Sequence, residues 1–305
     1  MQVLPRGRRP GVLRRRYPLF DRRTDARAAS RVAGRRIHAD IVYERYTLFG
    51  DAGRRVKARR PGTAWILEVN APRTWEAALF EGLPVGRSAV AEETRTLRAA
   101  DRVVVVSEAL RRWVEGRGVD PARIRTVANG AEPSGRPLRP ASDEFRVGYA
   151  GTFKPWHGLL SSLDALARLA ASVGPRRLVL ELHGDGPERG PFLRGLEAFP
   201  AIRVDDRGWT DGPGLAEARS RWSAAWVPSP RTPDPGGLAA RFGEPVPASW
   251  FDPLKGAEAR ADGVAVWRGD DRPPDVGPKP PDWASVVAAA TADLPQWDEP
   301  SSLGV

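Results

Sequence analysis

Strand-sized apolar runs alternate with helix-spaced apolar positions along most of this chain. The first clear strand is His38–Tyr46 (HADIVYERY), with Ile41 and Val42 as its buried pair, and a helical pattern follows over Asp51–Arg60. Ala64–Val69 (AWILEV) predicts a second buried strand, and Ser88–Ala100 a helix. Asp101–Val106 predicts a third strand whose continuous run of valines suits a parallel sheet covered on both faces. Ser107 is a good N-cap for a helix over Glu108–Glu115, which places Leu110 and Val114 on one face and ends at Gly116 or Gly118. Ile124–Val127 reads as a short fourth strand, and Asn129-Gly130 as a turn.

The pattern then breaks. Residues 131–144 (AEPSGRPLRPASDE) are rich in Pro, Gly and Ser and read as a linker. Beyond it the alternation resumes with strand Phe145–Ala150, helix Gly158–Ser172, strand Arg177–His183 and a helix near Gly190–Ala198. Strand Ile202–Val204, helix Leu215–Arg221 and strand Ala224–Val227 follow. Residues 231–248 and 269–281 read as Pro- and Gly-rich loops, and Asp282–Leu294 as a last helix. Strands and helices joined by short connections predict open parallel sheets. The expected domains are 1–138 and 139–305. Residues 1–36 show no clean period and are expected to be a basic, loosely ordered lead.

Composition narrows the class. At 305 residues, with 41% hydrophobic and 28% charged residues, the chain is long enough for two cored domains. It has no cysteine, which excludes disulfides, thiolate metal sites and cysteine nucleophiles and fits a reducing cytoplasm. No apolar run approaches the roughly 20 residues of a membrane helix, and no apolar stretch follows the basic N-terminus as a secretory signal requires. The expected location is the cytoplasm or the inner face of its membrane. Residues 1–60 hold 18 Lys and Arg against 5 Asp and Glu, so the chain's net charge of +10 is a property of that segment alone. Such a segment suits an anionic membrane surface, with a solvated arm as the equally good alternative. Nucleic acid is disfavoured, because aromatics do not interleave with the arginines.

Two stretches carry the chemistry: Gly148–Gly158 (GYAGTFKPWHG) and Phe251–Gly263 (FDPLKGAEARADG). With DIVYERY, LEVNAP, AADRVVVVSEAL, ANG and HGDGPER they stand in the order found in family 4 glycosyltransferases, and between Asp40 and Gly269 the chain resembles that family. The resemblance implies an α/β protein of the GT-B type. Two Rossmann-like domains would set their parallel sheets face to face across a cleft. The first domain would be incomplete, and the chain looks abbreviated at both ends. It further implies transfer of a sugar from a nucleotide diphosphate-sugar to a hydroxyl acceptor, with retention. The acceptor would be a glycan, a lipid-linked sugar or a small molecule. Neither metal nor other cofactor is expected beyond the nucleotide-sugar co-substrate, and no Asp-x-Asp pair occurs. The alternative function is a non-catalytic, glycosyltransferase-like protein that binds a nucleotide or a partner.

Site residues follow from the same motifs. Pro253, Leu254 and Lys255 open a helix whose N-terminal N–H groups and positive dipole end suit a diphosphate. Glu258, one turn in, would accept from ribose hydroxyls, and Gly263 would end the helix. Lys154 supplies a fixed charge in the loop after a strand, where other family members place an Arg and a Lys. His157 is a neutral or charged donor there, with a structural role as its equal competitor. Gly151, with no side chain, would let backbone approach a phosphate or simply make a strand-end turn, and Thr152 beside it is a further donor-binding candidate. Gly184 and Gly186 line a nucleotide base or, more simply, make a tight turn. Lys154 and Lys255 would stabilise the leaving diphosphate. On the acceptor side stand Arg45, Glu68 and Asn70, with Glu68 the only proposed base and a capped strand end the plainer reading of it.

Overall fold

The computed structural model describes residues 18–141, 143–228, 237–245, 247, 250, 254–269, 274–275 and 279–292. The elements are, in order, α1 (Pro18–Arg36), β1 (Ile41–Arg45), α2 (Ala52–Arg59), β2 (Ala64–Val69), α3 (Arg73–Leu79), α4 (Arg87–Ala99), β3 (Arg102–Val105), α5 (Glu108–Gly116) and β4 (Ile124–Thr126). After the linker come β5 (Glu144–Ala150), α6 (Leu163–Ser172), β6 (Arg177–His183), α7 (Arg189–Leu196), β7 (Ile202–Gly208), α8 (Gly212–Arg219), β8 (Ala224–Trp226), α9 (Leu238–Phe242), α10 (Leu254–Ala261), β9 (Ala265–Trp267) and α11 (Trp283–Thr291). The chain forms two compact units, one within 1–103, 113–124 and 234–245, the other within 104–112, 125–233 and 246–305.

The four-stranded sheet has the order β1-β2-β3-β4. β1 and β2 are parallel, with Arg45 opposite Glu68 at their C-terminal ends. Trp65, Ile66, Leu67 and Val69 of β2 are fully buried, as are Val103 and Val105 of β3. The first unit also buries charge. Arg117 binds Glu93 at 3.2 Å and Glu244 at 2.6 Å, while the Thr74 hydroxyl donates to Glu93. Trp75 donates to Glu244 and packs edge-on against Phe242. Residues 237–245, read from sequence as loop, thus hold a short helix that belongs to the first unit.

Helix α1 corrects the expectation of a loosely ordered lead for residues 18–36, while residues 1–17 lie outside the described residues. Over Pro18–Arg36 the chain is helical and packs on α2, and Ser30 is buried, its hydroxyl accepting from the Asp51 amide at 3.0 Å. Arg23 and Arg27 both bind Glu92, and Arg22 binds Glu81. Its described contacts include three arginine–glutamate pairs, the Ser30 hydroxyl and a close approach of Gly34 to Arg55, which apolar periodicity could not reveal.

The five-stranded sheet of the second unit is parallel throughout, in the order β7-β6-β5-β8-β9. Its first strand, β5, therefore has β6 on one side and β8 on the other. Crossovers leave in opposite directions from β5, and in such sheets ligands bind at the C-terminal strand ends beside that switch. One face packs Tyr149, Phe153, Leu166, Leu180, Phe192 and Trp226 into a closed core, and the other buries Trp222, Ala225 and Val266. Gly148 of β5 lies against the Trp222 ring, where any Cβ would fall inside it. α10 ends as the sequence suggests, with Gly263 at φ +80° and Val264 N–H bonded to the Ala259 carbonyl.

Candidate functional site

The C-terminal ends of β5 and β6 carry two loops that lock together through their backbones. Gly151 N–H donates to the His183 carbonyl at 2.9 Å, and Phe153 N–H to the Asp185 carbonyl at 3.0 Å. The contact is too close for side chains on the second loop. A Cβ on Gly184 would strike the Gly151 carbonyl, and one on Gly186 would lie against the Phe153 backbone. Gly184 also sits at φ +120°, a conformation that L side chains rarely adopt. These glycines are therefore first a condition of loop packing.

Beneath the loops a charged ladder fixes the end of β6. Glu181 is fully buried between Arg146, at 2.8 Å, and His183 Nε2, at 2.9 Å. Burial alone would raise its pKa, but those two partners outweigh it and hold the carboxyl at about 2. His183 Nδ1 faces the Thr210 hydroxyl at 2.7 Å, which accounts for this histidine as a structural one.

Against this floor lies Lys255, in the first turn of α10. Its ammonium stands 4.6 Å from the centroid of the Tyr149 ring, and a Cβ on Gly151 would touch it. Among the described residues it makes no ion pair, and burial lowers its pKa to about 8, partly opposed by Glu258. Tyr149 is itself buried, and its hydroxyl donates to the Thr152 carbonyl at 2.9 Å. His157 Nδ1 lies 2.6 Å from the same hydroxyl. Burial, then the nearby Lys255, pushes the His157 pKa down to about 4, so this ring is neutral near pH 7. Lys154 points its ammonium over the Trp156 ring, 5.7 Å from the centroid.

Glu258 is one helical turn beyond Lys255 and accepts from Arg219 at 3.2 Å. Arg219 also holds Asp262 at 2.7 Å, so α8 and α10 are cross-linked through one guanidinium. Leu254 is exposed at the helix start, and Pro253 lies outside the described residues.

Gly151, Thr152, His157, Gly184, Gly186 and Lys255 are thus brought into one group, with Glu258 next to it and Lys154 turned to Trp156. Arg45, Glu68 and Asn70 form a separate group in the first unit. Asn70 donates to Glu68 at 2.5 Å and Arg45 lies 3.6 Å from it. Tyr43 completes this group, its pKa raised by burial and then by Glu68. Sequence reasoning missed Tyr149, Arg219 and Tyr43. Tyr149 looks like any apolar strand residue, and only the parallel register sets its ring under Lys255.

A parallel sheet with glycine-rich loops and a buried cation beside its switch point places this unit among the open, doubly wound α/β folds. The sequence model described as Glycosyltransferase Family 4 matches residues 2–134. The resemblance to that family therefore reaches upstream of Asp40, where the motifs begin, and takes in the segment of α1. Among curated proteins none matches the sequence. Among solved structures, the chain is similar to a sucrose-phosphate synthase from Thermosynechococcus elongatus, with TM-score 0.56 and 20% identity, covering 81% of this chain and 60% of that one. It is similar to Anabaena HepE, solved in complex with UDP and glucose, with TM-score 0.51 and 14% identity, covering 84% and 64%. OtsA in its apo form gives TM-score 0.54 and 13% identity, covering 83% and 64%. The chain spans about 60 to 64% of the length of these proteins. At such identities the likeness establishes the fold, which is of the GT-B type.

Proposed function

We propose that this chain binds a nucleoside diphosphate-sugar in its second unit and transfers the sugar to a hydroxyl acceptor, with retention and without a metal ion. The observation that carries the reading is Lys255. A buried ammonium with no ion pair among the described residues, set on a tyrosine face beside a glycine backbone, is stabilised by an incoming anion. The first turn of α10 adds backbone N–H groups, and Lys154 a second charge that can leave Trp156 for a phosphate. Both cations would offset the charge that develops on the leaving diphosphate. Glu258 keeps one carboxylate oxygen beyond its Arg219 bond for ribose hydroxyls. UDP is the first nucleotide to try, because HepE was solved with it. Glu68, Asn70 and Arg45 are the proposed acceptor-binding group, with Glu68 as the carboxylate that takes the acceptor proton.

Calorimetric titration with UDP and with uridine tests the reading. Lys255→Ala should weaken UDP binding at least about tenfold and leave uridine binding unchanged, since a charge-assisted bond contributes roughly 1.5–3 kcal/mol. Equal losses for both ligands would remove Lys255 from the diphosphate site.

A further inference from the structure

His157 occupies a loop where a permanent cation would serve a diphosphate directly, yet its surroundings make it something else. The Tyr149 hydroxyl has one proton. It is 2.9 Å from the Thr152 carbonyl, which can only accept, and 2.6 Å from His157 Nδ1. Both contacts are hydrogen bonds only if the tyrosine proton goes to the carbonyl and Nδ1–H donates to the tyrosine oxygen. A neutral ring with its proton on Nδ1 has a bare lone pair on Nε2. For that nitrogen no partner is found among the described residues. A lone pair repels phosphate oxygens and seeks an O–H or N–H.

We infer that His157 Nε2 accepts a hydrogen bond from a hydroxyl of the bound nucleotide-sugar, on the sugar or the ribose, and does not pair with its diphosphate. Tyr149 is then a positioning residue. Its single hydroxyl proton, committed to Thr152, selects the histidine tautomer, while its ring carries Lys255. The two members of the site divide the ligand between them, Lys255 taking charge and His157 taking a hydroxyl. This assignment rests on the donor-site reading above, but the tautomer itself does not.

Two measurements test it. Nitrogen chemical shifts of the three histidines separate the tautomers in the free protein, with His157→Gln giving the assignment. Near neutral pH His157 should show a protonated Nδ1 and an unprotonated Nε2, and Tyr149→Phe should move the ring toward the Nε2–H form. A cationic ring or an Nε2–H ring in the wild type overturns the proposal whatever the protein binds. The second measurement is calorimetric titration with UDP-glucose, UDP and inorganic pyrophosphate. His157→Phe should weaken UDP-glucose by about fivefold, the worth of one neutral hydrogen bond, and leave pyrophosphate unchanged. His157→Gln, whose side-chain oxygen also accepts, should stay within about twofold of wild type on the same scale. An equal loss for UDP assigns the hydroxyl to the ribose, and an unchanged UDP affinity assigns it to the sugar. Pyrophosphate weakened as much as UDP-glucose overturns the proposal in favour of a diphosphate contact. His157→Phe binding UDP-glucose as tightly as wild type overturns the hydroxyl role alone. Wild type that binds neither nucleotide overturns the donor site itself, and the hydroxyl role with it.

Discussion

Two polar clusters stand at C-terminal strand ends of this protein, and they are built on opposite principles. In the first unit Glu68 is surrounded by Arg45, Asn70 and Tyr43, so its charge is answered by neighbours and the cluster is content in water. In the second unit Lys255 has an aromatic ring and a glycine backbone beside it, and its pKa has fallen because Glu258 offsets its burial only in part. A compensated cluster gives up existing bonds to take a ligand. An uncompensated one gains its missing partner from the ligand. The difference predicts where substitution exchanges stability for affinity, and where it does neither.

The largest effect should come from the packing that makes the second cluster. Gly184→Ala puts a Cβ on the Gly151 carbonyl at φ +120°, and strain and overlap together should cost about 3 kcal/mol or more in chemical denaturation. Gly82, in the first unit, is the matched control. It too has positive φ, at +62°, but an added Cβ meets nothing within 4 Å. Gly82→Ala should cost only about 1–2 kcal/mol, the left-handed backbone penalty alone. If the two variants lose the same stability, the loop crossing is not the constraint described here.

Next comes the buried cation. Lys255 titrates at about 8 in the folded protein against an ordinary 10.5. Between those values the unfolded chain binds the extra proton, so this group makes stability rise with pH there. Below about 8 both states are charged and the full cost of burying the ammonium remains. Lys255→Met should therefore be more stable than wild type near pH 7, by on the order of 1–2 kcal/mol, while binding UDP at least about tenfold more weakly. The stability advantage should shrink as pH rises from 8 toward 10.5. A constant advantage across that range would mean that packing, not charge, separates the variants. Wild-type UDP affinity should also fall as the free protein is taken through pH 8.

Much of this contrast was legible in the sequence, and the illegible part has a physical cause. Apolar runs such as AWILEV and RLVLELH marked the central strands because burial on both faces leaves no alternation to misread. The glycines of GTFKPWHG and HGDGPER marked two loops, but that these loops press on one another came only from the structure. What periodicity could not supply was α1, whose described contacts are largely ion pairs, and α9, five residues inside a Pro- and Gly-rich stretch. Nor could it show that Arg117 joins Glu93 and Glu244, because those partners are 24 and 127 residues away. Tyr149 was hidden for another reason. As a strand residue it satisfies the core, and its second role depends on what α10 lays across it.

The smallest effects should come from the two carboxylates, and they sharpen the comparison most. Glu258 is partly exposed, and its partner Arg219 keeps Asp262 when Glu258 is neutralised. Glu258→Gln should therefore change stability by no more than about 0.5 kcal/mol, as surface substitutions do. Its carboxylate is nonetheless proposed to accept from ribose hydroxyls, so UDP affinity should drop about tenfold. Glu68→Gln is the mirror case. It removes charge from a cluster that already answers its own needs, in the unit that lacks the proposed nucleotide site. Stability should again stay within about 0.5 kcal/mol, because Arg45 is largely exposed, and UDP affinity should not change. Denaturation curves and UDP titrations of both variants give four numbers, of which only the Glu258 affinity should move. A comparable UDP loss in Glu68→Gln would mean that the nucleotide site draws on the first unit's carboxylate, and the division of labour argued from charge compensation would be wrong.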